Sequence, residues 1–236
     1  MNVVRIAKEK DHGLNAKISG LVLFLFSELV SRTCRFSIKG LEEIEEIREN
    51  DSPAIATSWH GMTMMVLGSM RNYFDISSFT LFFPDDPSGE ALADFVRRLG
   101  MESALLNLEG DPSLEMSSKL LSVIRKIKSG RNSLIHPDGP RGPAYIVKPG
   151  LTAIARMTGA AIIPLGCYCR NAYHVPRWDR YTLPLPFSKI NIQIGTPITI
   201  SKDLVDLDQT NRDLEDILNR LAHQAAANYY VPEINN

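Results

Sequence analysis

Short apolar runs alternate with amphipathic ones along most of this chain, and that rhythm restricts the fold more than any other feature. Pro53–Trp59 (PAIATSW), Ser78–Phe83 (SFTLFF), Met101–Leu106, Asn132–His136 (NSLIH), Ala161–Cys169 (AIIPLGCYC) and Lys189–Thr196 (KINIQIGT) read as strands. Helical patterns separate them. Gly61–Phe74 is Met-rich and helical. Ser88 can cap a helix that Gly100 stops, and Asp111-Pro112 opens another that ends at Gly130. A further helix covers Gly150–Thr158, and Thr210 with Asp213 forms a capping-box pattern before a last helix using Leu214, Leu218, Leu221 and Ala225. This alternation predicts an α/β fold: a single domain with a largely parallel central sheet flanked by helices. In such sheets functional groups gather in the loops beyond the strand C-termini. Those loops are Trp59-His60, Pro84–Glu90, Asn107–Asp111 and His136–Pro143.

Size and composition narrow the classes. A chain of 236 residues buries roughly 70–75% of its unfolded surface, so it needs neither disulfides nor metal to hold a core. Hydrophobic residues at 44% and charged residues at 22% exclude a disordered chain, a collagen-like repeat and a polytopic membrane protein. A net charge of −1 argues against nucleic acid as a partner. Cys34, Cys167 and Cys169 lack the spacing of a disulfide framework or a zinc site, and no metal is expected. The charge is nonetheless uneven. Residues 1–40 carry seven Lys/Arg and three acids, and residues 131–189 carry eight and two. Two basic regions in a neutral chain fit a face that meets anions, such as lipid phosphates, as well as a solvated surface.

The N-terminal segment, residues 1–40, stands apart as basic and apolar, ahead of an α/β domain over 41–236. Ile18–Val30 (ISGLVLFLFSELV) is too short to span a bilayer, which takes ~20 residues. Ile18, Leu21, Val22, Leu25 and Leu29 share one helical stripe, and Leu23, Phe24 and Phe26 cover much of the remainder. A helix apolar nearly all round is either buried in protein or dipped into lipid, with Lys17 and Arg32 snorkelling to headgroups.

Two loops carry the candidate chemistry. His60 follows the first strand and precedes a helix, a place where a histidine serves as general base or simply packs. HPDGPRGP at 136–143 is rigid and tightly turned. Gly139 allows close backbone approach, Arg141 presents a fork of donors suited to phosphate, and Asp138 can accept from a substrate hydroxyl or pair with Arg141. Trp178-Asp179-Arg180 either faces substrate or packs with an Asp–Arg pair.

SWHG at 58–61, SGE at 88–90, HPDGPRGP at 136–143, VKPG at 147–150, TGAAIIPLG at 158–166 and WDRYTLPLPFSKI at 178–190 together resemble the lysophospholipid acyltransferase superfamily. Within it they are most similar to a sparsely characterised bacterial branch with Trp-His and PDGPRGP motifs. The resemblance covers about residues 20–200. It implies His60 as the base. The superfamily's acid, separated from the histidine by four intervening residues in a dyad, would fall at residue 65, which is Met65. Glu90 is then the expected orienting acid. Asp138 and Arg141 align with the superfamily's phosphate-binding motif. The branch's basic loop after the strand Met101–Leu106 is replaced here by Asn107-Leu108-Glu109-Gly110-Asp111.

The resemblance implies an O-acyltransferase that moves a fatty acyl group from a thioester to a hydroxyl of a lysophospholipid or glycolipid. His60 and Glu90 are the expected catalytic residues; Ser58, Trp59, Asp138, Gly139, Arg141 and Lys148 are the expected substrate contacts. No cofactor is implied beyond acyl carrier protein or coenzyme A thioester as co-substrate. The expected location is the cytoplasmic face of a bacterial inner membrane, peripheral or monotopic. Met62, Met64, Met65 and Met70 line an acyl groove or pack the core. A non-catalytic lipid or phosphate binder on the same fold is the alternative, and a soluble enzyme acting on a phosphorylated metabolite is a third reading.

Overall fold

The computed structural model describes residues 13–106, 112–139, 141–204 and 206–229. The replaced basic loop at 107–111, and with it the Asp111 cap, lies outside the described residues. In chain order the elements are α1 (Leu14–Thr33), β1 (Arg35–Lys39), α2 (Glu45–Glu49), β2 (Ala54–Thr57), α3 (Thr63–Tyr73), β3 (Thr80–Pro84), α4 (Pro87–Leu99), β4 (Glu102–Leu106), α5 (Pro112–Lys128), β5 (Ser133–Leu134), α6 (Pro149–Thr158), β6 (Ala161–Tyr168), β7 (Ala172–His174), β8 (Thr182–Pro184), β9 (Lys189–Ile194) and α7 (Asp208–Asn228).

Five strands form the central sheet in the order β1-β9-β6-β2-β5. β1/β9, β6/β2 and β2/β5 pair in parallel, and β6/β9 is antiparallel. A parallel β3–β4 pair continues it through a bridge from Phe79 to Asn132, and β7–β8 make a separate hairpin. The central strands are buried on both faces, which explains why β2 and β6 read as continuous apolar runs. Alternation along β2 divides the core. Ala54 and Ala56 join a cluster with Met64, Val66 and Met70 of α3, Phe95 and Val96 of α4, and Val30 of α1. Ile55 joins the opposite cluster with Ile127, Leu151, Ile154, Leu214 and Leu218 of α5, α6 and α7. The molecule is therefore a helix–sheet–helix sandwich of one domain, as the alternation predicts.

Three local expectations are corrected. The cap of α4 is Asp86, not Ser88: its side chain accepts from the Gly89 N–H at 2.8 Å, and Pro87 takes the first helical position. α7 starts at Asp208, so Thr210 lies inside its first turn. β1, within the expected separate segment 1–40, is an edge strand of the sheet and pairs with β9 over its whole length. α1 is a 20-residue helix packed on α4 and α3, longer than the apolar run that marks it and, by length and composition, long enough to cross a membrane where the run alone is too short. Its protein side carries Ala16, Gly20, Ser27 and Val30. Leu23, Phe24 and Phe26 lean on the core. The stripe of Ile18, Leu21, Val22, Leu25 and Leu29 faces outward, with Val22 59% exposed.

The cap assignment is testable by chemical unfolding. Asp86→Ala should lower stability by about 1 kcal/mol and Ser88→Ala by less than about half of that.

Candidate active site

His60 stands where β2 ends, in a single 3-10 turn that leads into α3. Three bonds fix it. Its backbone N–H donates to Asp138 Oδ1 at 2.9 Å, its carbonyl accepts from Thr63 Oγ1 at 2.6 Å, and its Nδ1 lies 2.7 Å from Asp179 Oδ2. A carboxylate accepts only, so Nδ1 carries the proton and Nε2 keeps its lone pair. Nε2 has no hydrogen-bond partner among the described residues. The His60 side chain is 24% exposed, whereas that of Asp179 is wholly buried.

Asp179 occupies the place expected for Glu90. It comes from the 175–181 loop between β7 and β8, and Arg177 Nη2 donates to the same oxygen at 3.0 Å. The arginine that pairs with it is thus Arg177 rather than Arg180. Arg180 has φ +45°, and it follows the buried acid directly; such backbone is uncommon outside glycine and clusters at functional sites. Two glycines let this loop approach. A Cβ on Gly61 would collide with the Asp179 carbonyl oxygen, and one on Gly142, at φ +70°, would lie 2.6 Å from Trp178 Cε3. Trp178 and Tyr181 then flank the imidazole, with ring centroids 5.4 and 6.1 Å from it. Met65, at the superfamily's acid position, is 2% exposed in the core.

The HPDGPRGP loop also reaches His60, but several of its residues have other tasks than expected. Asp138 is 1% exposed, and its first oxygen is taken by the His60 N–H. Its second oxygen accepts from the Tyr145 N–H at 3.4 Å, so the carboxylate ties the loop to His60. Burial pushes its pKa up, opposed by the N–H groups of His60 and Tyr145. Ser58 and Trp59 are buried as well, and support the site from beneath. Gly139 passes beside the ring: a Cβ there would sit 3.1 Å from His60 Cδ2. Lys148 Nζ donates to the Gly139 carbonyl at 2.9 Å, which braces the same stretch. Arg141 is exposed at the rim. Its charge reaches Asp86, whose carboxyl is held low mainly by the Ser88 hydroxyl and the Gly89 N–H. Glu90 lies in that same first turn of α4. The loops 84–90 and 136–143 therefore lie within electrostatic reach of each other.

A second histidine completes the floor. His136 Nδ1 lies 2.9 Å from the Ser58 carbonyl, and Nε2 lies 2.9 Å from Thr63 Oγ1. Thr63 thus offers one hydroxyl proton to two acceptors, His60 O and His136 Nε2. Desolvation, helped by the nearby His60, lowers the His136 pKa from 6.5 to about 4. It is neutral at pH 7.

Two cavities flank α3. One of about 170 Å³ is lined by Trp59, Met62, Met65, Cys167 and Asp179. Trp59 Nε1 and Asp179 Oδ1 are buried polar atoms there without hydrogen-bond partners among the described residues. The other, about 230 Å³, lies between α3 and the sheet, lined by Val66, Met70, Ile163 and Ile192. Its polar rim of Arg48, Asp51 and Asp75 lies away from His60. Met64 packs in the core. Among the described residues no cluster of three or more His, Cys, Asp or Glu is placed to hold a metal.

No protein-family model matches the chain. It is 28% identical over 159 residues, 66% of this chain and 68% of the other, to the uncharacterized protein RP090 of Rickettsia prowazekii (strain Madrid E). Among solved structures it superposes on the 1-acyl-sn-glycerophosphate (LPA) acyltransferase PlsC from Thermotoga maritima. The TM-score is 0.55 at 17% identity, over 92% of this chain and 84% of that one. The two proteins share a fold.

The neutral His136 predicts a pH dependence of stability. The folded ring stays unprotonated down to about pH 4, while the unfolded ring takes up its proton near 6.5. Between those values the unfolded state binds more protons, so stability falls as pH drops through the window. From pH 7 to pH 5, urea unfolding of the wild type should lose about 2 kcal/mol more than that of His136→Asn.

Proposed function

We propose that the protein is an O-acyltransferase working at a membrane surface, which moves a fatty acyl group from a thioester to a hydroxyl of a lysophospholipid or glycolipid. One observation carries this reading. His60 is clamped at its N–H, its C=O and its Nδ1, and its Nε2 is left unengaged among the described residues on a partly exposed ring. That is how a general base is prepared: oriented, in one tautomer, with the lone pair toward the substrate. The fold shared with PlsC supports the same choice.

In the proposed reaction the acceptor hydroxyl gives its proton to His60 Nε2 as its oxygen attacks the thioester carbonyl carbon. The buried Asp179 carboxylate stabilises the imidazolium that forms. When the tetrahedral intermediate collapses, the C–S bond breaks and the departing sulfur takes the proton from Nε2. An ester and a free thiol result, and His60 is regenerated. General-base help of this kind is typically worth ~10²–10⁴-fold. Arg141, exposed and within electrostatic reach of Asp86, would meet an acceptor phosphate in this reading. Lys148 holds the Gly139 turn against the ring.

The donor in this reading is acyl carrier protein or coenzyme A thioester, and the location is the cytoplasmic face of a bacterial inner membrane. The outward apolar stripe of α1 supports surface attachment. With Met65 in the core, a non-catalytic binder would need no charged partner for His60; the Asp179 pair favours the enzyme.

The test is acyl transfer from labelled acyl carrier protein or acyl-coenzyme A into a total lipid extract. Wild type should yield labelled lipid, and His60→Ala none above background. Asp179→Asn should lower kcat by about 10²-fold or more, and Glu90→Gln by less than tenfold. Full turnover in His60→Ala would overturn the assignment. The reverse order for the two acids would return the orienting role to Glu90.

A further inference from the structure

α1 is not the molecule's only outward apolar feature. Leu185, Pro186 and Phe187 form the turn between β8 and β9; Leu185 is 50% and Phe187 76% exposed. Phe187 also holds φ +65°, backbone that a bulky residue adopts only when its surroundings enforce it. The enforcing contacts come from the end of α1. The Phe187 N–H donates to Thr33 Oγ1 at 3.4 Å, Cys34 Sγ donates to the Leu185 carbonyl at 3.4 Å, and the Arg35 N–H donates to the Ser188 carbonyl at 2.9 Å. The turn and the helix are therefore fixed to each other.

The outward side chains of α1 point one way. Leu14, Ile18, Leu21, Val22, Leu25 and Leu29, all exposed, fall within an arc of about 100° at 100° per residue. Cations border that face. Lys17 and Arg32 of α1 and Arg35 at the start of β1 are exposed, while Glu28, the acid of α1, is paired with both Arg32 and Arg71. An apolar strip bordered by cations, its acid neutralised, complements a surface that is oily inside and negative outside.

Register places this turn near the chemistry. Arg35 pairs with Lys189 at the first rung of β1 and β9, and Asn191 of β9 pairs with Tyr168 at the end of β6. β6 runs parallel to β2, which ends just before His60. The turn thus lies at the sheet edge that bears the site.

We propose that the Leu185-Pro186-Phe187 turn is a second anchor, inserted beside α1 into an anionic phospholipid bilayer and holding the His60 edge against it. The inference rests on the reading of α1 as a surface-attached helix, and the experiment separates the two. Full-length protein is titrated with vesicles of phosphatidylcholine containing phosphatidylglycerol, alongside Phe187→Asn, Phe187→Trp and the double variant Ile18→Ser/Leu25→Ser. Asn tolerates the left-handed backbone, and far-UV circular dichroism with thermal unfolding checks the fold. Wild type should bind, Phe187→Asn should bind about tenfold more weakly, and pure phosphatidylcholine should bind less than the mixture. The excess emission of Phe187→Trp should be quenched by brominated acyl chains. Binding of Phe187→Asn equal to wild type, with the excess emission of Phe187→Trp unquenched, would overturn the second anchor and leave α1 standing. Wild type that ignores vesicles would overturn both. Equal binding to the neutral vesicles would overturn the anionic partner.

Discussion

A carboxylate taken out of water costs several kcal/mol unless other charges and hydrogen bonds meet it, and Asp179 is buried at the centre of this site. It is met by Arg177 and by the His60 ring on one oxygen. Much of the local architecture is a consequence. The 175–181 loop must come down onto the start of α3, which requires Gly61. Trp178 must seat against the HPDGPRGP turn, which requires Gly142. That turn in turn supplies Asp138, whose carboxylate holds the His60 backbone. The imidazole is thus oriented from two loops far apart in the chain, and each loop depends on the other for its place.

The fold was legible in the sequence because the alternation that encodes it is local. Gly100 and Gly159, both left-handed just past their helices, punctuate the chain as their positions predict. β1 is not among the expected strands: RFSIK alternates polar and apolar residues but over only five positions, and its strand state comes from pairing with β9 across roughly 150 residues of chain. At the site, His60 and the PDGPRGP turn announce themselves by position and composition. Asp179 does not, because it meets His60 from 119 positions away, and only folding can create that spacing. Asp138 shows the converse error. An acid in a glycine- and proline-rich loop looks ready for a ligand, yet burial commits both its oxygens to backbone N–H groups.

α1 reverses the usual arrangement of a surface helix. Small residues, Ala16, Gly20 and Ser27, face the protein, while leucines, isoleucine and valine face outward. The small side permits close approach to α4: a Cβ on Gly20 would collide with Asp94. The large side leaves several exposed aliphatic groups, at a cost in water of roughly 25 cal/mol for each Å² of apolar surface. A helix so built has little reason to show that face to water.

This inversion bears on the chemistry. A lysophospholipid-type acceptor keeps its tail in the bilayer and its hydroxyl near the headgroup plane, so a base that must come within hydrogen-bond reach of that hydroxyl gains from being held at the plane. α1 ends, and β1 and β9 begin, at the same sheet edge from which β2 delivers His60. Attachment through α1 alone limits rotation about the helix axis only to the width of its apolar stripe, about 100°. A second contact off that axis removes this freedom, and the β8–β9 turn, bonded to Thr33, Cys34 and Arg35, sits where such a contact has the most leverage on the orientation of the site.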